Sequence, residues 1–303
     1  MPIPKPLDTM QTIEQFISYL LAERGYSNAT AVSYRASLTD LWKFFRWVDE
    51  QISWETLDKD VIRRWMMREM ECGTAARTLN RKMSAVRSFY RYLLRMERVA
   101  VDPTAMLKNP KAEKRLPSFV GEQEMDRLFD EIAFGEGYEA ERDRLILLTF
   151  YSTGIRISEL LSLKVSSVDL MAQELKVLGK RNKQRIVPFG RELAVAFRAF
   201  FKLRSEVVRT DFEEVFLRPN GKLMSGLEVR NVVKTYLSCV TTQQKRSPHV
   251  LRHTYATVML NNGADLEAVK ELLGHESVST TEVYTHTTFA ELKKAYEKAH
   301  PRA

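Results

Sequence analysis

Ser247-Pro248-His249-Val250-Leu251-Arg252-His253-Thr254-Tyr255 reads as the opening of a helix. Serine suits the N-cap, and proline suits the first turn, where its missing N–H costs nothing. Leu251, Tyr255 and Val258, spaced by four and three, mark the buried face. His249, Arg252 and His253 are expected together on the other face. One helix start thus gathers an acid/base group, a fixed cation and the positive end of a helix dipole. That combination suits an anion, and a phosphate in particular. On this stretch alone, a polar face with basic residues by chance is the competing explanation.

Upstream, an apolar helix over Arg142 to Tyr151 ends at Ser152-Thr153-Gly154, and Ile155-Arg156-Ile157-Ser158-Glu159-Leu160 opens a short new one. Arg156 between two apolar neighbours is expected to be half-buried and to need an anion. Glu159, at i+3, is the structural candidate for that anion. Glu174 to Leu178 and Gln184 to Pro188 read as strands joined through Gly179-Lys180-Arg181-Asn182-Lys183. The joining tip is either a solvated basic turn or a lysine finger for a DNA groove. Helices are expected over about 191–208 and 225–240, with an Asn220-Gly221 turn between them. Another runs from Asp265 to Leu273 and is closed by Gly274, with His275 just beyond it. A last short helix runs from Phe289 to Ala299 with Leu292 and Tyr296 on its apolar face. Four of the five histidines (His249, His253, His275, His286) fall in this C-terminal stretch, which raises either metal binding or phosphoryl chemistry.

The first hundred residues read as helix throughout. Ile13, Phe16, Ile17, Leu20 and Leu21 recur at helical spacing, and Gly25 ends that helix. Ser27-Asn28-Ala29-Thr30 opens a second, and Asp58-Lys59-Asp60 opens a third that stops at Cys72-Gly73-Thr74. A fourth runs from about Ala75 to Met96 with a buried stripe of Leu79, Met83, Val86, Tyr90 and Leu93. Its opposite stripe is Arg77, Arg81, Ser84, Ser88, Arg91 and Arg95. A solvated helix face usually mixes signs, because opposite charges at i,i+4 stabilise it. A single-sign face with small hydroxyl residues suits a DNA backbone instead. Val101 to Pro117 is rich in proline and charge and reads as a linker, which places domains at 1–100 and 118–303 with a linker at 101–117.

The bulk numbers agree with this division. A chain of 303 residues with 44% hydrophobic residues has enough apolar surface for two cores and is not disordered. The net charge of +8 favours an acidic partner, with nucleic acid ahead of a membrane surface. Cys72 and Cys239 lack metal-ligand spacing and are expected as thiols in a reducing compartment. No apolar run reads as a signal peptide or a membrane span, so a cytoplasmic protein is expected.

Together, Thr153-Gly154-Ile155-Arg156-Ile157-Ser158-Glu159-Leu160, Gly179-Lys180-x-Asn182-Lys183-x-Arg185, His249-x-x-Arg252-His253 and Leu272-Leu273-Gly274-His275-x-x-x-Ser279-Thr280-Thr281-x-x-Tyr284-Thr285-His286 stand in the order and spacing of tyrosine recombinases. The chain resembles the bacterial Xer branch, which resolves chromosome dimers, over essentially its whole length. It departs from many relatives at Arg181, where they carry glycine. The resemblance implies a mainly α, two-domain clamp: an all-helical DNA-binding domain, then a mostly helical catalytic domain with a small antiparallel hairpin. It implies site-specific DNA recombination through a 3′-phosphotyrosyl intermediate, with no metal and no cofactor. The partners it implies are a double-stranded recombination site, a homo- or hetero-tetramer on DNA, and a second recombinase or a regulatory translocase. The integrase of a mobile element and a non-catalytic DNA-binding protein are the alternatives.

The resemblance assigns Tyr284 as nucleophile, Arg156 and Arg252 to the non-bridging oxygens, and Lys180 to the departing 5′-oxygen. It assigns His249 to acid/base help for the tyrosine and His275 to a phosphate oxygen. His253 and His286 read as supporting residues. Arg77, Arg81, Arg91 and Arg95 are the DNA-contacting candidates from the fourth helix. A zinc site from His249, His253 and His275 is disfavoured, because it lacks the glutamate after the first histidine and leaves Arg156, Lys180 and Tyr284 without roles.

Overall fold

The computed structural model describes residues 9–112, 118–179, 184–274 and 289–303. The chain divides into two compact units, Met1–Arg115 and Leu116–Ala303.

The first unit is built from α1 (Thr9–Ala22), α2 (Asn28–Val48), α3 (Lys59–Glu71) and α4 (Ala76–Arg95). The caps follow the sequence signals. The Ser27 hydroxyl accepts the Thr30 amide at 3.3 Å, and Asp58 accepts the amides of Asp60 and Val61 at 2.8 Å. The core joins Ile13, Phe16, Leu38, Phe45, Trp65, Val86 and Phe89 from all four helices. An aromatic chain runs through it: Phe45 to Trp54 and Trp54 to Phe89 at 4.8 Å, then Phe89 to Phe16 at 5.2 Å. Along α4 the expected stripe of Leu79, Met83, Val86, Tyr90 and Leu93 is buried, joined by Ala85, Phe89 and Tyr92.

Much of the segment expected as linker is anchored to the first unit. Leu107 is buried in the first core, and Arg87 on α4 donates to the Leu107 carbonyl at 2.7 Å and to Asn109 Oδ1 at 2.8 Å. Asn80 adds a bond to the Pro110 carbonyl at 3.1 Å. Irregular backbone must find donors somewhere, and here one helix face supplies them.

The second unit contains α5 (Glu122–Asp130), α6 (Tyr138–Thr153), α7 (Ile157–Leu161), β1 (Val168–Asp169), β2 (Glu174–Leu178) and β3 (Gln184–Pro188). It continues with α8 (Arg191–Val207), α9 (Gly226–Val240), α10 (Pro248–Asn261), α11 (Leu266–Leu273) and α12 (Phe289–Ala299). The sheet is antiparallel in the order β1-β2-β3, with Leu175 facing both Val168 and Val187 across its two ladders. The expected hairpin is β2–β3, and its tip at 180–183 lies outside the described residues. β1 adds a two-residue strand too short to leave a pattern in the sequence.

α6 is buried nearly all round and forms the centre of the core with α8 and α10. α12 packs within its own unit, where Leu292, Tyr296 and Ala299 meet Tyr255, Met259, Leu272 and Leu273. The chain end is pinned beyond it: Arg302 reaches Glu192 at 2.9 Å, Asp130 at 2.9 Å and Asp126 at 3.1 Å. Among the described residues no helix is long and apolar enough to cross a membrane.

Candidate active site

Three helix ends bring the site together. α6 ends at Gly154 in the left-handed region (φ 59°), and α11 ends at Gly274 likewise (φ 64°). At Gly154 a Cβ would lie 2.7 Å from Tyr255 Cδ1 and 2.8 Å from Leu273 Cδ2, so glycine alone lets α6 end this close to α10 and α11. Two residues on, Arg156 occupies the N-cap of α7. The third helix end is the start of α10, where Ser247 takes the N-cap position without a side-chain capping bond and Pro248 enters the first turn.

Arg252 does not share a solvent face with its histidine neighbours, as the helical spacing suggested. It is 7% exposed, because its guanidinium has acceptors inside the unit. Its Nη1 donates to the Gly154 carbonyl and its Nη2 to the Leu273 carbonyl, each at 2.6 Å. Arg156 Nη2 donates to the Gly274 carbonyl at 2.8 Å, and its Nη1 to Glu159 Oε1 at 2.9 Å. The C-terminal carbonyls of α6 and α11 thus aim both guanidinium groups, a use of helix ends that otherwise lack partners.

The ion pair between Arg156 and Glu159, left open by the sequence, is present, but Glu159 does not belong to Arg156 alone. Its side chain is 2% exposed and is held from the other side by Arg185 of β3, at 2.6 Å to Oε1 and 3.0 Å to Oε2. It also accepts the Arg156 backbone amide at 2.7 Å. Burial pushes the Glu159 carboxyl up, but the bonds from Arg185 and Arg156 outweigh it and keep the group ionised. Burial, then repulsion from Arg156, pulls the Arg252 guanidinium down to about 10, with Arg185 adding to the fall and Glu159 opposing it. A cation so crowded gains from an added anion.

His249 stays exposed at the start of α10. Partial desolvation lowers its pKa from 6.5, and Arg252, His253, Arg230 and Arg156 lower it further. The imidazole is therefore neutral near pH 7, the state in which it accepts a proton. Lys180, His275, Tyr284 and His286 lie outside the described residues.

In the first unit Arg77, Arg81, Arg91 and Arg95 are all exposed along one side of α4, with Ser84 between them. Arg95 is held back toward α1, 2.9 Å from the Tyr19 hydroxyl and 3.9 Å from Glu23. Arg77, Arg81 and Arg91 pair with no carboxylate among the described residues.

From sequence alone Arg185 has no assigned role, and Glu159 stands only as a possible partner of Arg156. The signal for Arg185 was its place on the same side of β3 as buried Val187, since strand residues two apart share a face.

The family model described as "Phage integrase family" matches residues 118–291, which span this whole site. The chain belongs to the phage integrase family. A second model of that family, "Phage integrase, N-terminal SAM-like domain", matches residues 13–97. Tyrosine recombinase XerC of Chlorobaculum parvum is 38% identical, with 96% of this chain and 94% of the relative covered. Tyrosine recombinase XerD of Staphylococcus epidermidis is 34% identical over 96% of this chain and 99% of its own. Among solved structures, the XerH site-specific recombinase bound to its difH substrate shares the fold, with a TM-score of 0.73 at 18% identity, covering 97% of this chain and 98% of that one. With relatives this close over nearly the whole chain, the protein is an Xer-type tyrosine recombinase, an enzyme of the DNA-rejoining class.

Proposed function

We propose that this recombinase acts in the cytoplasm as a tetramer on double-stranded DNA and resolves chromosome dimers at a dedicated site. The observation that carries the chemistry is the Arg156–Arg252 pair, aimed by the carbonyls of Gly154, Leu273 and Gly274 beside a neutral His249. Two guanidinium groups held by neighbouring carbonyls suit the two non-bridging oxygens of a phosphodiester. Tyr284 loses its proton to His249 as its oxygen attacks phosphorus. The bond from phosphorus to the 5′-oxygen breaks, and Lys180 gives that oxygen a proton. The products are a 3′-phosphotyrosyl ester and a free 5′-hydroxyl. His275 donates to a non-bridging oxygen as charge builds there. Attack by the 5′-hydroxyl of a partner strand reverses the same steps and reseals the duplex without ATP, because the ester keeps the bond energy. Arg77, Arg81, Arg91 and Arg95 hold phosphates of the same duplex.

The test uses a nicked suicide duplex carrying the site located by footprinting on the host chromosome. Wild-type protein forms a covalent adduct, and Tyr284→Phe binds the duplex and forms none. An adduct that persists in Tyr284→Phe removes Tyr284 from the mechanism. Relaxation of supercoiled plasmid lacking the site would replace recombination with a topoisomerase activity.

A further inference from the structure

We propose that Arg185 is a positioning residue for strand cleavage: it neutralises Glu159, so that Arg156 keeps its positive charge for the DNA phosphate. The inference rests on the phosphate role given to Arg156 above.

Buried Glu159 sits between two guanidinium groups. Its two oxygens accept four bonds, two from Arg185, one from Arg156 Nη1 and one from the Arg156 amide. Two cations against one anion leave this trio with one positive charge. Without Arg185, Glu159 and Arg156 would form a neutral pair, and the field at the phosphate would lose a full charge at close range. The carboxylate is still useful, since it fixes the Arg156 side chain and closes the first turn of α7. Arg185 makes that fixing compatible with a cationic site.

The placement of Arg185 fits this task. Its two terminal nitrogens each donate to a different carboxylate oxygen, a paired grip that lysine does not reproduce. Its Nε donates to the Leu272 carbonyl at 3.1 Å, which ties β3 to the end of α11. The Gly274 Cα lies against the same side chain, since a Cβ there would sit 3.1 Å from Arg185 Cδ. Arg185 is thus packed against the end of α11, which carries the Gly274 carbonyl bonded by Arg156 and the Leu273 carbonyl bonded by Arg252. A salt bridge needed only for folding would not have to meet the one carboxylate that also grips Arg156.

The experiment measures the first-order rate of adduct formation with the full-length protein and the nicked suicide duplex, at saturating protein, with the dissociation constant measured separately. Arg185→Ala is expected to slow cleavage about 100-fold, the usual effect of losing one preorganised electrostatic contribution, with DNA affinity within a few-fold of wild type. Adding Glu159→Gln to Arg185→Ala removes the surplus negative charge and is expected to recover about tenfold of that loss. A purely structural Arg185 gives no such recovery, because the double variant lacks the bridge as completely as the single one. Should Arg185→Ala fail to fold, Arg185→Lys and Arg185→Gln replace it: lysine keeps the charge and is the faster of the two. An Arg185→Ala rate within threefold of wild type, a double variant no faster than Arg185→Ala, or equal rates for the lysine and glutamine variants would each overturn the inference. Arg156→Ala separates it from the reading beneath it. Full activity there removes the phosphate role of Arg156 and the inference with it. A slow Arg156→Ala beside a fast Arg185→Ala removes only the role of Arg185.

Discussion

The imidazole of His300 is engaged at both nitrogens: Nε2 lies 3.1 Å from the Tyr151 carbonyl, and Nδ1 accepts the Arg302 amide at 3.1 Å. A ring that donates from Nε2 and accepts at Nδ1 is neutral. Tyr296 stacks on it and Tyr151 meets it edge-on, both with centroids at 5.1 Å. Burial pulls its pKa from 6.5 to about 4. The unfolded chain therefore takes up a proton below pH 6.5 that the folded chain refuses until about pH 4. The stability carried by neutral His300 is complete above pH 6.5 and drains as pH falls toward 4, by roughly 3 kcal/mol in all. Thermal unfolding across this window is expected to show a melting temperature that falls faster with acid in wild type than in His300→Gln. Parallel curves for the two proteins would mean that the ring is not held neutral.

Gly154→Ala is expected to damage stability and chemistry together. The residue has positive φ, and an added Cβ meets Tyr255 and Leu273 well inside contact distance. Left-handed backbone and overpacking together cost about 2–4 kcal/mol. The Gly154 carbonyl also aims Arg252, so the shift that relieves the clash moves a guanidinium group. Adduct formation by the folded fraction at low temperature is expected to drop more than tenfold, since small misplacements at a reacting centre are costly. A variant with lowered melting temperature but wild-type cleavage would separate the glycine from the site.

Local signals in the sequence carried much of this fold. Ser27, Asp58 and Asp265 cap the helices they precede, and Gly154 and Gly274 end theirs, because these effects act within a turn of the residue. Arg252 departs from its expected face for the converse reason. Its acceptors, Gly154 and Leu273, stand 98 and 21 residues away, and helical periodicity registers only neighbours on the same helix. The bridge from Glu159 to Arg185 spans 26 residues and was missed in the same way, while the bridge to Arg156 at i+3 was visible. His300 and Arg302 had no pattern at all: the Tyr151 carbonyl that His300 meets is on α6, and the carboxylates that hold Arg302 are on α5 and α8.

The lowered pKa of His249 is expected to set the pH dependence of cleavage. A histidine that accepts the tyrosine proton must begin neutral, and desolvation, with the guanidinium groups of Arg252, Arg230 and Arg156 nearby, lets it stay neutral below pH 6.5. For free protein and DNA, the second-order cleavage rate is expected to be level just below pH 6.5 and to fall about tenfold per pH unit only in more acid solution. Bound DNA brings phosphate beside the ring and raises its pKa, so the acid limb of the saturated rate lies at higher pH than that of the second-order rate. His249→Gln is expected to be slower and to lose the acid limb. An unchanged limb in that variant would assign the titration to another group.

The exposed side of α4 makes a prediction separate from the chemistry. Arg77 and Arg91 pair with no carboxylate among the described residues, whereas Arg95 is held by Tyr19 and Glu23. Each arginine that neutralises a phosphate releases condensed counterions and adds about 0.9 to the slope of log affinity against log salt concentration. Replacing Arg77 and Arg91 together with alanine is expected to lower that slope by about 2 and to weaken binding most at low salt. Arg95→Ala is expected to change it less, because its guanidinium already stacks on the Tyr19 ring at 5.4 Å. Filter binding or fluorescence anisotropy from 50 to 200 mM salt, on the order of the range where such slopes are resolved, measures all three. A double variant with the wild-type slope would leave α4 facing solvent and move the phosphate contacts of the first unit to another surface.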